Sequence, residues 1–216
     1  QFCEDSDRVF AGTARDVGFD PVYRARTSLA QPDFTAECLS ARNAGAQTFL
    51  VFLDSNSITR LAAACARQGY RPTFATASGL VQDRFKNDPN LAGLVAGTNV
   101  FPSFQSGTPA TDEYQQAMQL FAGGRAMGEG PPLGWAAGKL LQRAAAGLPE
   151  PPTSQAILDG LWSMRDDSLG GLTAPLTFVR DQPIKPHPCW FTIAVAGGRF
   201  TSPDGFRQQC RPLPGG

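Results

Sequence analysis

The side chains able to do chemistry in this 216-residue chain are few and scattered. His187 is the single histidine and lies between Pro186 and Pro188. A Ser-His-Asp or Cys-His relay would have to run through it, and no oriented partner is evident. It reads as an exposed loop residue, and a hydrolase-like enzyme would depend on it entirely. Asp166-Asp167 reads as a solvated turn rather than an acid/base couple. Gly170-Gly171 lacks the Lys and Ser/Thr of a phosphate loop, and Gly123-Gly124 does not follow a strand. No His/Cys cluster has metal-ligand spacing. The expectation is a protein without catalysis, metal or cofactor.

The cysteines point to disulfide chemistry instead. Cys189 and Cys210 flank a stretch that reads as strand, Gly197-Gly198 turn, strand, which would bring their ends together. A disulfide is expected there, the alternative being two buried thiols. Cys3 precedes one apparent helix and Cys38 sits one turn into the next. In a parallel α/β layer both helix starts lie at the same sheet edge, so Cys3 with Cys38 is the expected second pair. Cys65, within the apolar helix face of Leu61, Ala62 and Ala66, reads as a packed free thiol.

Composition narrows the partners. Lys+Arg and Asp+Glu both total 19, so the formal charge is zero, and the basic field of a nucleic-acid binder is missing. The longest apolar runs, residues 48–53 and 191–197, fall far short of the roughly 20 residues that span a bilayer. A hydrophobic content of 42% supports a substantial core in one domain or two small ones. Gln1 in place of an initiator Met is what a processed or truncated chain would carry, its signal peptide removed.

The elements follow from periodicity and punctuation. Residues 4–17 read as a helix with Val9, Phe10, Ala14 and Val17 on one face, closed by Gly18, and 21–27 as a strand. Asp33 stands where an N-cap belongs, before Phe34, Cys38 and Leu39 at helical spacing. The run 47–53 has the near-continuous apolarity of a strand covered on both faces. Asp54-Ser55-Asn56-Ser57 supplies capping residues for a helix that ends near Gln68. A strand at 71–75, a short helix at 79–87 and a strand at 91–98 complete an alternation that predicts a parallel sheet wrapped by helices. In such folds ligands sit at the carboxyl ends of strands. Beyond a boundary near Pro102 the chain reads as helices at 111–121, 134–146 and 154–161, a strand at 176–179 and the hairpin 189–210.

The order of these elements, with Gln31-Pro32-Asp33-Phe34-Thr35, Ala44-Gly45-Ala46, Gln68-Gly69-Tyr70, Trp135-Ala136-Ala137-Gly138, Gly170-Gly171-Leu172-Thr173 and Leu176-Thr177-Phe178, resembles the later part of the type I periplasmic binding proteins. Within them it is similar to the substrate-binding subunits of branched-chain amino acid ABC transporters. The resemblance implies two α/β lobes closing on a ligand. Residues 1–101 would form the second lobe, 102–185 would pack toward the first, and 186–216 would return to the second. Most of the first lobe, and the strand that opens the second, would lie before Gln1 or in another chain.

Carried across by position, the ligand-touching residues would be Phe2, the Asp54-Ser55-Asn56 turn, and Thr76 with Ser78. Helix N-termini, with unpaired N–H groups and a positive dipole end, suit a carboxylate or polar head group. Asp54 and Ser55 could equally cap their own helix, and Asp54 could meet a ligand ammonium. Trp135 could be an aromatic wall from the other lobe or an ordinary core residue. The resemblance implies an exported, periplasmic or extracellular protein that captures an amino acid or related amphipathic solute and delivers it to a membrane ABC permease. A sensor ectodomain on the same fold is the alternative.

Overall fold

A parallel β-layer forms where the apolar runs alternate with helices, and it orders everything else. In the computed structural model, residues 2–124, 128–184 and 189–211 are described, apart from the side chains of Phe2, Cys3, Asp5 and Ser6. The helices are α1 (Phe2–Asp16), α2 (Thr35–Asn43), α3 (Ser55–Arg67), α4 (Pro109–Phe121), α5 (Gly130–Ala144) and α6 (Ser154–Ser163). The strands are β1 (Thr48–Leu50), β2 (Thr73–Ala77), β3 (Val95–Thr98), β4 (Cys189–Ala196), β5 (Arg199–Thr201) and β6 (Gln209–Cys210). One sheet takes the order β1-β2-β3-β4-β5, with β6 also paired to β4.

The pairs β1–β2 and β2–β3 are parallel, in registers that set Leu50 against Ala75 and Thr76 against Ala96. β4 then joins β3 antiparallel, Ala96 against Ile193, and β5 and β6 follow antiparallel on β4. The sheet is therefore mixed, its parallel part being the portion whose strands alternate with helices. The C-terminal hairpin and the Cys189–Cys210 disulfide are present as the turn chemistry predicts.

Two apolar clusters hold the layers. Phe34, Ile58, Leu61, Phe74, Phe85 and Ile193 belong to one, under α2 and α3. Phe101, Tyr114, Ala136, Met164 and Leu172 belong to the other, among α4, α5 and α6. α3 shows the first link of this chain of causes: Ile58, Leu61, Ala62 and Cys65 recur at helical spacing and are all buried. α4 begins where Thr108 caps Thr111 in a reciprocal box with Pro109 in the first turn.

Several expectations need correction. The second disulfide joins Cys38 to Cys65, not Cys3 to Cys38. Cys65 is thus not a free thiol: the buried faces of α2 and α3 meet, and each carries one of the two sulfurs. The stretch 21–27 has strand-forming residues yet joins no ladder. A strand needs a neighbour for its N–H and C=O groups. This segment instead follows α1 through Arg24–Asp7 at 3.2 Å and Arg26–Glu4 at 2.9 Å. Phe34, not Asp33, occupies the α2 N-cap position, although Asp33 Oδ1 accepts from Thr35 N–H at 2.7 Å. In place of a helix at 79–87 stand two short 3-10 turns, Ser78–Leu80 and Asp83–Asn87. The segment 176–179 contributes only an isolated bridge, Asp167 to Leu176.

Candidate functional site

The loops that leave β1 and β2 lie side by side at the carboxyl ends of the two parallel strands, and they carry five of the expected site residues. Ser55 Oγ donates to Leu80 O at 2.9 Å, which ties the start of α3 to the turn after β2. Thr76, nearly buried at the end of β2, donates through Oγ1 to Val51 O at 2.8 Å. Ser78 follows, also buried, as the first residue of its turn. Asn56 Oδ1 accepts from Arg84 Nη2 at 2.7 Å, so a guanidinium stands at the rim.

Asp54 is the N-cap of α3. Its Oδ1 accepts from Asn56 N–H at 2.9 Å and Ser57 N–H at 3.1 Å, and its Oδ2 accepts from Ser57 Oγ at 2.5 Å. The Ser57 hydroxyl, then the backbone donors and Arg60, hold the carboxyl below its ordinary value. Both oxygens are thus occupied by the chain itself. The cap also takes two of the N–H groups that an anion at this helix end would have used.

Beside this polar turn is an aromatic pair. Phe52, at the end of the β1 run, stacks on Phe10 of α1 with ring centroids 4.7 Å apart. Phe52 is 48% exposed and Phe10 39%. Phe52 is hard to single out in the sequence because it sits inside an apolar run with the pattern of a wholly buried strand. The signal that could have found it is its place two residues before the capping Asp54.

Trp135 packs within the helical unit. It sits one turn into α5, edge-on to Tyr114 at 5.7 Å, with Lys139 Nζ 5.3 Å from its ring centroid. Together with Met118, Pro131 and Leu141 these side chains line a groove of about 650 Å³ between α4 and α5. The first turns of α5 do reach the wall's edge: a β-carbon at Gly79 would meet Leu133 Cδ1 at 3.6 Å. Phe2 opens α1, and its side chain lies outside the described residues, as does all of His187.

The carboxylates of Asp166 and Asp167 are structural. Asp167 pairs with Arg143 at 3.1 Å and accepts from Leu169 N–H at 2.8 Å, while Asp166 meets Thr177 Oγ1 at 3.2 Å. Among the described residues no three His, Cys, Asp or Glu side chains cluster as a metal site. No described helix is long and apolar enough to cross a membrane.

A parallel β-layer with its polar turns at the strand ends, followed by a helical unit and a returning C-terminal strand, defines the type I periplasmic binding protein fold. Comparison with known proteins agrees. The sequence profile described as periplasmic binding protein matches residues 1–199, and the chain belongs to that family. Its members and the structural neighbours are binding proteins, not enzymes. No curated protein matches in sequence. Among solved structures, the chain is similar to a leucine-binding protein from Thermotoga maritima, at 14% identity and a TM-score of 0.71, over 92% of this chain and 56% of that one. It is similar to a leucine-, isoleucine-, valine-, threonine- and alanine-binding protein from Brucella ovis, at 16% identity and a TM-score of 0.73, over 97% and 53%. A fatty acid ABC transporter substrate-binding protein from Thermomonospora curvata aligns at 15% identity and a TM-score of 0.72, over 91% and 52%. The chain spans little more than half the length of these structures.

Proposed function

We propose that this chain forms one wall of an interlobe cleft that captures a small amphipathic organic solute, an amino acid or a related molecule, for delivery to a membrane ABC permease. The observation that carries the reading is the juxtaposition at the ends of β1 and β2. The Asp54-Ser55-Asn56 turn, Thr76 and Ser78 lie beside the half-exposed Phe10–Phe52 pair. Polar groups there would orient a head group while the aromatic pair receives an apolar tail, the mixture that small-molecule clefts use.

In this reading residues 1–101 make the wall, 102–185 pack toward an opposing lobe, and 186–216 return to the sheet. The opposing lobe comes from residues outside this chain, of the same polypeptide or of a second one. Apolar side chains on the helical unit support that, with Leu120 76%, Phe121 89% and Leu141 54% exposed. The family relationship supports an exported protein, periplasmic or extracellular.

The test is a thermal-shift screen of the complete two-lobed protein with amino acids, fatty acids, aromatic acids, amides and polyols. A saturable rise in Tm with one class, weakened in Phe52→Ala, is the expected result. The absence of any stabilising solute would overturn the reading.

A further inference from the structure

Glu129 lies directly before α5 and is 1% exposed. Its Oε1 accepts from Ser103 Oγ at 2.5 Å and its Oε2 from Ser103 N–H at 2.8 Å. Its own N–H reaches Val81 O at 3.3 Å. Next to it, Gly128 approaches the backbone so closely that a β-carbon would stand 2.4 Å from Val81 O and 3.0 Å from Gln82 Cα. From α4, Gln115 Nε2 donates to Ser103 O at 2.9 Å and to Gln105 O at 2.7 Å. One carboxyl group therefore stands where the segment after β2, the crossover 101–109 and the first turn of α5 meet.

No cation is bonded to this group among the described residues. The crossover and the Val81–Gln82 segment contribute neutral side chains only. Tyr114 is the titratable side chain whose charge interacts with Glu129. The other charged groups on the packed elements are engaged elsewhere. Asp83 pairs with Lys86, Arg84 bonds Asn56, and Asp112 accepts from Gly107 N–H. Glu113 pairs with Lys139, and Arg143 with Asp167. A carboxylate buried without a counter-ion carries a desolvation cost that the two Ser103 bonds offset only in part and that a neutral carboxyl does not bear.

We propose that Glu129 is a proton-linked clasp: its protonation state sets how firmly the start of α5 and the crossover through Ser103 are held to the β-layer. The neutral carboxyl keeps both contacts with Ser103, accepting the N–H through one oxygen and sharing an O–H···O bond with the hydroxyl through the other. The ionised form keeps the same contacts but places a charge in the joint. Burial raises the Glu129 carboxyl above its ordinary value, against the opposing pull of the two Ser103 bonds. For an acid raised on folding, the folded state binds the proton where the unfolded chain has released it. The stabilisation is complete below the ordinary carboxylate value and is lost as pH rises through the folded value. The clasp is tight in acid and loosens as pH rises through the folded value. This device goes beyond solute capture and does not depend on it.

The experiment measures amide hydrogen exchange at Ser103 and Glu129 in the full protein, corrected for intrinsic exchange, between about pH 4 and pH 8, a window that starts near the free carboxylate value. Wild type is compared with Glu129→Gln, the neutral isostere, and with Ser103→Ala. In acid the two amides of wild type should match those of Glu129→Gln. At higher pH they should lose protection relative to it, about tenfold for every pH step by which the folded carboxyl value exceeds the free one. Ser103→Ala, which removes a bond favouring the charged form, should raise the pH at which the loss of protection levels off, leaving its onset in place. Parallel profiles for wild type and Glu129→Gln at every pH would reduce Glu129 to a pH-independent packing residue and overturn the proposal. A levelling-off that stays in place or moves to lower pH in Ser103→Ala would overturn it as well.

Discussion

Cys38 and Cys65, both fully buried, join the first half of α2 to the last turn of α3 across a separation of 27 residues. Closing a loop of that length removes conformational freedom from the unfolded chain, worth about 3 to 4 kcal/mol in the chain-entropy account. Reduction of the protein, or Cys38→Ala with Cys65→Ala, should lower the unfolding midpoint without changing the fold. Intact mass under denaturing conditions should rise by four protons on reduction, and none of Cys38, Cys65, Cys189 and Cys210 should accept an alkylating reagent beforehand. Labelling of Cys38 or Cys65 in the unreduced protein would contradict this pairing.

The pairing also shows what sequence can and cannot carry. Cys189 and Cys210 were legible because a Gly197-Gly198 turn between two strands fixes which ends meet, and the pair Cys189–Cys210 is in register across β4 and β6. Cys38 and Cys65 lie on helices, where spacing says which face a residue occupies but not which other helix that face meets. The β1-α3-β2 alternation was legible from an apolar run and a cluster of capping residues. The placement of β4 antiparallel on β3 was not, because β3 is short and its partner lies roughly a hundred residues on, so no local pattern signals the contact. Glu129 was invisible for a related reason: in a stretch of Gly and Pro a glutamate reads as solvated, and only the packed crossover buries it.

Asp54 supplies a prediction about the wall itself. Its carboxylate caps α3 and is held below its ordinary value, chiefly by the Ser57 hydroxyl. For a depressed acid the stabilisation is present above the unfolded value and is lost as pH falls through the folded one. Asp54→Ala should lower Tm by about 2 to 4 °C at neutral pH, whereas Asp54→Asn, an equally good cap, should nearly retain it. In acid the Asp54→Ala deficit should shrink, because protonation removes the charge that strengthens the wild-type cap while one oxygen still accepts. A deficit that is constant from neutral pH to below the carboxylate range would rule out the charged cap as its origin.

Gly160 tests the packing of the helical unit. It faces the end of α5, and a β-carbon there would stand 2.0 Å from Ala144 O and 2.8 Å from its carbonyl carbon. Both obstacles are backbone, so no side-chain rotation relieves them, and α6 must move away from α5. Gly160→Ala should cost about 1 to 3 kcal/mol despite the gain in helix propensity. The control is Gly138→Ala on α5, where nothing lies within 4 Å of the new carbon, so the propensity gain should dominate. Urea unfolding of the two variants should place them on opposite sides of wild type.

Tyr114 gives a second pH signature, at the alkaline end. It is 3% exposed, with Phe101 edge-on at 4.9 Å and Trp135 at 5.7 Å. Burial first, and the Glu129 charge second, push its phenol up to about 12. The folded state therefore keeps a proton that the unfolded chain releases from about pH 10. Stability attributable to this group is complete below that value and falls as pH rises toward the folded one. Absorbance titration should show a late phenolate transition whose amplitude falls in Tyr114→Phe, with Tyr70, also raised by burial, remaining. Glu129→Gln removes the secondary cause and should bring the transition to lower pH while leaving most of the rise in place. A transition unmoved by Glu129→Gln would assign the whole effect to burial, and one that moved back to the ordinary tyrosine range would reverse the order of the two causes.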